Sequence, residues 1–336
     1  MPRAENAYSR RLSDLSHNPC MGIAQYIKEI GRGKQGARSI TRAQAADLMG
    51  QMLDGALSDL EVGAFCLAMR IKGETAEEMA GFLDATHALL HKVPTQSPAV
   101  VLPSYNGARK LPVLSPLLGL ALAQRGVPVV MHGCASENAR VHAQNVLVAG
   151  GIPAQAAIKM VANGEFQFVP TALLHPGLER LLQVRRTVGV RNSAHSLVKL
   201  MNPCAGPALV ISSYTHPEYL ASMTATLTLT QGHAMLLRGT EGEAVADARR
   251  TPQMDIFMNG VQRTVQAQQS GSLQAVPELP SDTDAARTAD YMRDVLDKRK
   301  PMPHSIALQV EHILRALDAM KTQGHQEHNN AQHSIA

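Results

Sequence analysis

The sequence predicts an α/β protein made of a small all-helical N-terminal domain and a larger α/β domain with a mostly parallel central sheet. Three observations carry that prediction. Residues 20–95 read only as amphipathic helices, and residues 99–131 then read strand, loop, helix, strand. The chain has 336 residues, 45% hydrophobic and 18% charged, enough for more than one domain. The expected division is an N-terminal arm and helical domain over 1–95, an α/β domain over 96–321 and a polar tail over 322–336.

Each element has a local reason. Thr41 is an N-cap for a helix through Met52, with Ala45, Leu48, Met49 and Met52 forming an apolar stripe. Ser58 caps a second helix carrying Val62, Phe65 and Met69, and Lys72-Gly73 ends it. Thr75 opens a third, with Glu78 three residues on as a capping box. Residues 94–98 read as a linker, 99–102 as a strand and 103–112 as a polar loop. Ser115-Pro116 predicts an N-cap with proline at the first helical position. Residues 127–131 form the next strand, so strand, helix and strand follow in the order of a parallel sheet. Further strands are expected at 209–213 and 233–237, and a last amphipathic helix at 305–320. The tail beyond it, with His325, His328 and His333, lacks helical periodicity and reads as disordered.

Composition excludes several function classes. Cys20, Cys66, Cys134 and Cys204 form no C-x-x-C pair, so they read as reduced thiols and not as a zinc site or a disulfide framework. No metal site is expected from the histidines, which show no H-E-x-x-H spacing. The basic N-terminus lacks the apolar stretch of a signal peptide, and no apolar run approaches the ~20 residues that span a bilayer. A cytoplasmic chain with no membrane partner is expected. Aromatics are only 3% with no Trp, which argues against base stacking as a main binding mode. The formal charge of +4 does not by itself indicate nucleic acid.

Two stretches concentrate chemistry. The loop Ser104-Tyr105-Asn106-Gly107-Ala108-Arg109-Lys110 follows a strand and precedes a helix, where backbone N–H groups bind anions. It reads either as a phosphate loop or as an ordinary solvated connection. The run 175–203 holds Arg180, Arg185, Arg186, Arg191 and Lys199 against Glu179 alone, a surplus of 5 − 1 = 4 that equals the formal excess of the whole chain. Arg191, His195 and Lys199 repeat every four residues and would line one helical face. This is either a cationic ridge for phosphates or a solvated basic face. Lys28, Arg32, Lys34, Arg38 and Arg42 make a third basic region. Glu241 and Glu243, separated by Gly242, read as surface acids on a turn. No G-x-S-x-G element or Walker loop is present.

The stretch 58–85, with Arg70-Ile71-Lys72-Gly73-Glu74-Thr75 at its centre, resembles the helical domain of the anthranilate phosphoribosyltransferase family. Met131-His132-Gly133 and Asn202-Pro203 sit where that family has later motifs, and the similarity runs from about residue 20 to 320. The resemblance implies a fold of the nucleoside phosphorylase/phosphoribosyltransferase type, with a helical domain that forms a homodimer. The family's glycine-rich diphosphate loop corresponds here to Pro103, Ser104, Tyr105, Asn106 and Gly107. Proline removes a donor, and Tyr105 fills space that glycine leaves for a ligand. Of the next motif, Ser115 is kept. His132 and Gly133 are kept, while the family's lysine before them is Met131. Its magnesium-binding acid pair corresponds to Glu241-Gly242-Glu243. Arg185 aligns with an arginine that helps hold anthranilate.

The motifs 103–110 and 190–196 are similar to the YbiB-type branch, which implies loss of transferase activity and nonspecific nucleic-acid binding. The expectation is therefore a non-catalytic homologue, without cofactor, that binds single-stranded nucleic acid as a dimer. Arg185, Arg186, Arg191, His195, Lys199, Arg109 and Lys110 would meet the phosphates. Ser104, Tyr105, Asn106, Gly107, Ser115, His132 and Gly133 would remain as a vestigial phosphate loop. The alternative is a phosphoribosyltransferase that uses phosphoribosyl diphosphate and magnesium with an aromatic or heterocyclic acceptor. A third is a protein-interaction scaffold.

Overall fold

The computed structural model describes residues 22–33, 35–135, 137, 139–272 and 277–333, with side chains through 322. Cys20, Lys34 and the N-terminal arm through residue 21 lie outside the described residues, as do the side chains of His325, His328 and His333.

Four helices open the fold: α1 (Ala24–Ile30), α2 (Arg42–Asp54), α3 (Asp59–Lys72) and α4 (Ala76–Leu89). Thr41, Ser58 and Thr75 cap α2, α3 and α4, each in a reciprocal capping box with Gln44, Glu61 and Glu78. The Lys72–Thr75 element is a helix-to-helix turn. Gly73 caps α3 at φ 81°, a conformation that costs glycine little. Lys72 Nζ pairs with the buried Glu78 carboxylate at 2.6 Å, and Glu78 also accepts from Ile40 N at 3.0 Å.

The larger part comprises β1 (Ala99–Ser104), α5 (Ser115–Gln124), β2 (Val129–Gly133), α6 (Ala143–Ala149), β3 (Phe166–Pro170), α7 (Thr171–Leu174), α8 (Pro176–Val188) and α9 (Ala194–Leu197). It continues through β4 (Ala208–Tyr214), α10 (Pro217–Leu229), β5 (Ala234–Arg238), β6 (Met254–Met258), β7 (Val261–Gln266), α11 (Ala285–Leu296) and α12 (His304–His333). The strands form one seven-stranded sheet in the order β3-β2-β1-β4-β5-β6-β7. β1 to β5 are parallel, and β6 and β7 add an antiparallel edge.

Both sheet faces are covered, so the central strands read as continuous apolar runs. Val101, Val130 and Val210 face a core shared with the N-terminal helices, while Val100, Val129 and Leu209 face a second core with α5, α11 and α12. The first core runs without a break from the helical bundle into the sheet, which fixes the cleft between them.

Four local expectations are corrected. The loop after β1 is not a solvated connection, because residues through Ala108 are buried and only Arg109 and Lys110 are exposed. Ser115 is the first residue of α5 and makes no cap, since its hydroxyl is engaged elsewhere. Arg191, His195 and Lys199 do not share a helical face, because α9 is only four residues long and Arg191 and Lys199 flank it. The last helix, expected to end at Met320, continues as α12 to His333, with no proline to stop it. Among the described residues, Cys66, Cys134 and Cys204 are buried free thiols, and no helix is long and apolar enough to cross a membrane.

Candidate functional site

Two sites face each other across the turn at 240–243. The first is the loop after β1. The carboxylate of Glu243, which is 2% exposed, sits within it. Glu243 Oε1 accepts from the backbone N–H groups of Asn106 and Gly107, both at 2.8 Å. Its Oε2 accepts from the hydroxyls of Ser104 at 2.6 Å and Ser115 at 3.0 Å. Two amides and two hydroxyls converging on one anion form a phosphate-type cradle, filled here by the protein's own side chain.

The neighbouring residues hold this turn in place. Glu241 adopts φ 52°, and its carboxylate accepts from the backbone N–H groups of Arg109 at 2.5 Å and Lys110 at 3.0 Å. Gly242 adopts φ 87°, and a Cβ there would lie 1.7 Å from Asn106 Nδ2, so only glycine fits. The Gly242 carbonyl accepts from Lys199 Nζ at 2.9 Å and Ser213 Oγ at 2.8 Å. The reading of Glu241 and Glu243 as surface acids is thus overturned for Glu243, whose burial depends on partners more than 120 positions away.

Below the loop, Tyr105 and His132 form a buried pair. The Tyr105 hydroxyl lies 2.7 Å from His132 Nδ1 and 3.0 Å from Thr171 Oγ1, with the two rings edge to face. Burial alone pushes His132 down to about 3, so its ring is neutral at pH 7. Gly133 is needed where β1 and β2 approach, since a Cβ there would lie 2.0 Å from the Ser104 carbonyl oxygen.

The second site is a cleft of about 560 Å³ between the end of α3 and the segments that follow α8 and β4. Arg185, Arg191, His195 and Lys199 line it together with Tyr214, Glu218 and Tyr219, and with Arg70 and Glu74 from the helical part. Lys199 Nζ also donates to the Ser213 carbonyl at 3.1 Å. Burial and then the Arg191 charge push Lys199 down to about 8, against the pull of Glu243. Arg185 pairs with Glu137 at 2.8 Å, and Arg140 reaches the same carboxylate at 2.8 Å. Burial would raise the Glu137 carboxyl, but Arg140 and Arg185 hold it below its usual range. Arg191 makes no hydrogen bond or ion pair among the described residues, and burial followed by Arg185 and Arg140 lowers its pKa.

The fold is matched elsewhere with the same two parts. Residues 24–89 match the helical bundle domain of the glycosyl transferase family. Uncharacterized protein YbiB of Escherichia coli is 38% identical over 299 residues, covering 86% of this chain and 92% of that protein. Anthranilate phosphoribosyltransferase of Methanopyrus kandleri is 29% identical over 292 residues, covering 83% of this chain and 84% of that protein.

The chain belongs to the anthranilate phosphoribosyltransferase family.

The crystal structure of that enzyme from Thermus thermophilus superposes with a TM-score of 0.69 at 20% identity, covering 87% of this chain and 89% of that one. The Saccharomyces cerevisiae enzyme in complex with PRPP and Mg gives 0.63 at 12% identity, covering 88% of this chain and 89% of that one. These likenesses describe the fold.

Within this family member, the expected site residues divide into groups. Ser104, Asn106, Gly107 and Ser115 do come together, around Glu243. Tyr105 and His132 are buried beneath them. A magnesium-bound diphosphate does not fit this arrangement, because the two amides and two hydroxyls of the cradle already hold the Glu243 carboxylate. Arg185, Arg191, His195 and Lys199 meet in the cleft. His195 is not a cation there, since burial first, then Arg191 and Arg185, push it down to about 3. Arg109 and Lys110 are exposed and do not line the cleft, and neither does Arg186, whose Nη2 donates to the Ala135 carbonyl at 2.7 Å. The third basic region is partly neutralised by Arg42–Asp84 and Arg32–Glu29 pairs.

Sequence reasoning missed Glu243 as a cradle occupant and Arg140 as a tie. Arg140 Nη1 donates to the Asn106 carbonyl at 3.2 Å while its Nε faces Glu137, coupling the loop to the arginine cluster. The only prior signal for Arg140 was a lone positive charge.

Proposed function

We propose that this chain binds single-stranded nucleic acid through phosphate contacts as a dimer and does not transfer phosphoribosyl groups. The observation that supports it best is the Glu243 carboxylate in the anion cradle beside a cleft whose Arg191 has no partner among the described residues. A self-filled cradle leaves diphosphate no donors there, and unneutralised guanidinium groups favour polyanions. Exposed Arg109, Lys110 and Arg186 extend the positive surface beyond the cleft. Contacts to phosphate alone carry little sequence preference.

The test is a gel shift of single-stranded oligonucleotide against salt. Affinity is expected to fall about tenfold or more between roughly 50 and 200 mM salt, as several phosphate contacts require. A triple variant Arg109→Gln/Lys110→Gln/Arg186→Gln is expected to weaken binding and flatten that slope. A salt-independent affinity, or a triple variant that binds as the parent does, contradicts the reading.

The dimer has its own support. Leu60, Leu67 and Ile71 are 83%, 48% and 63% exposed on one face of α3, spaced seven and four residues apart. An unpartnered apolar stripe of this kind suits a contact between copies. A Leu60→Glu/Ile71→Glu variant is expected to sediment as a monomer. A dimer that survives both charges sinks this arrangement.

A second reading keeps transferase chemistry, on the strength of the anthranilate phosphoribosyltransferase relatives. It requires a rise in melting temperature with phosphoribosyl diphosphate and magnesium, together with pyrophosphate release. At a ligand concentration about 100 times its dissociation constant, the gain is ~2.7 kcal/mol.

A further inference from the structure

We propose that the cleft lined by Arg185, Arg191 and His195 is a seat for a terminal nucleoside phosphate, either the phosphorylated end of a nucleic-acid strand or a free mononucleotide. The inference rests on the nucleic-acid reading above for the strand, but not for the mononucleotide.

Buried side-chain nitrogens without hydrogen-bond partners belong to residues that line this cleft. His195 is 6% exposed, and its Nε2 has no hydrogen-bond partner, while Nδ1 lies at 3.2–3.3 Å from Asn192. Arg185 holds Glu137 through Nη2 and leaves a buried Nη1 without a partner. Arg191 lines the same cleft with no hydrogen bond or ion pair among the described residues. A buried donor left unpaired costs free energy that an incoming acceptor recovers. Lys199 adds positive charge from the floor while its own donors hold the carbonyls of Ser213 and Gly242.

The charges also point to a ligand of high negative density. Arg140, Arg185 and Arg191 cluster about the Glu137 carboxylate while Lys199 lies near Glu243, so four cations face two carboxylates. A terminal phosphate monoester carries nearly two negative charges at pH 7, while an internal phosphodiester carries one. The monoester therefore gains more from this cluster. The volume, about 560 Å³, exceeds what a bare phosphate needs and suits one nucleoside with its phosphate. Tyr214 and Tyr219, both half-buried, also line the cleft, and the His216 and Tyr219 rings stand 6.4 Å apart, tilted by 46°. These rings offer a base one stacking surface. A chain so poor in aromatics places three rings at this one cleft.

The experiment is fluorescence anisotropy with one single-stranded DNA sequence in four forms: 5′-phosphorylated, 3′-phosphorylated, hydroxyl at both ends, and circular. A phosphorylated end is expected to bind about tenfold tighter than the hydroxyl-ended and circular forms, the effect of one added charge-assisted contact. Arg191→Gln is expected to erase that preference. Arg109→Gln/Lys110→Gln is expected to weaken all four forms together and leave the preference intact. Equal binding of all four forms, or a preference that survives both Arg191→Gln and His195→Gln, overturns the seat while leaving general nucleic-acid binding in place. Failure of every oligonucleotide to bind, with a melting-temperature rise on adding adenosine monophosphate that Arg191→Gln abolishes, supports the seat for a free mononucleotide and overturns the strand reading. No response to either overturns both.

Discussion

Replacing Glu243 by alanine is expected to destabilise the protein by about 3–5 kcal/mol, the scale of removing one partner from a buried charged network. Four donors lose their acceptor at once: the N–H groups of Asn106 and Gly107 and the hydroxyls of Ser104 and Ser115. Each buried donor left unpaired costs about 1–3 kcal/mol, and the four are not additive because the loop relaxes. Thermal unfolding should show a melting temperature lower by roughly 4–7 °C. Glu243→Gln keeps one acceptor oxygen and should fall between the two. The variant also carries a specific rescue. Inorganic phosphate offers the vacated donors an anion of the right size, and at about 100 times its dissociation constant it adds ~2.7 kcal/mol. The comparison is made in an Arg191→Gln background, which removes the cleft's own pull on phosphate: with Glu243 in place the cradle is filled, and no such gain over chloride at equal ionic strength is expected. An alanine variant as stable as the parent removes the basis for reading Glu243 as the occupant of an anion site.

Acid is expected to weaken the fold sharply below pH 6.5, through histidines held neutral by burial. His132 and His195 are both pushed down to about 3, and His87 to about 4, from an ordinary value of 6.5. The unfolded chain binds protons on these rings from about pH 6.5 downward, while the folded chain does not. Stability is therefore fully present above 6.5 and is lost as pH falls towards the folded values. His132 and His195 together should account for about 3 kcal/mol lost between pH 7.5 and 5.5, at ~1.4 kcal/mol for each ring per pH unit below 6.5. Denaturant unfolding across that range measures it. His195→Gln should shallow the slope, because glutamine does not titrate. A stability flat from pH 7.5 to 5.5 would show that these rings gain protons without opposing the fold. For binding, the same burial means that His195 contributes no positive charge at pH 6–7. Lys199, held near 8, loses its charge above that pH, so affinity for phosphates should decline from pH 7.5 to 9.

The parts of the fold legible in the sequence are those decided within a few residues. Thr41, Ser58 and Thr75 announce their helices because a capping box is closed by residues three apart. Lys72-Gly73-Glu74-Thr75 could be recognised because it encodes one helix stop and the next helix start. The strands 99–104 and 208–214 are legible over 99–102 and 209–213 as apolar runs, as strands buried on both faces must be, while Pro103 and Ser104 read as loop. The basic run in 175–203 was legible as charge, but its geometry was not. A spacing of four implies a shared face only if the helix lasts, and α9 ends after one turn. The residues still meet, because the segment wraps the cleft as a buried loop.

The two-part architecture, the starts of three N-terminal helices and the concentration of positive charge are written in the sequence alone. Only the tertiary structure decided what that charge and the loop after β1 do. Ser115 was expected to cap its helix, and instead it serves a carboxylate 128 positions away. Glu243 was expected on the surface, and the fold encloses it with four donors from two distant segments. The physical reason is the range of the interactions. Caps and apolar periodicity are satisfied by neighbours in the chain, whereas an anion cradle is defined by whichever acceptor the completed sheet brings to it.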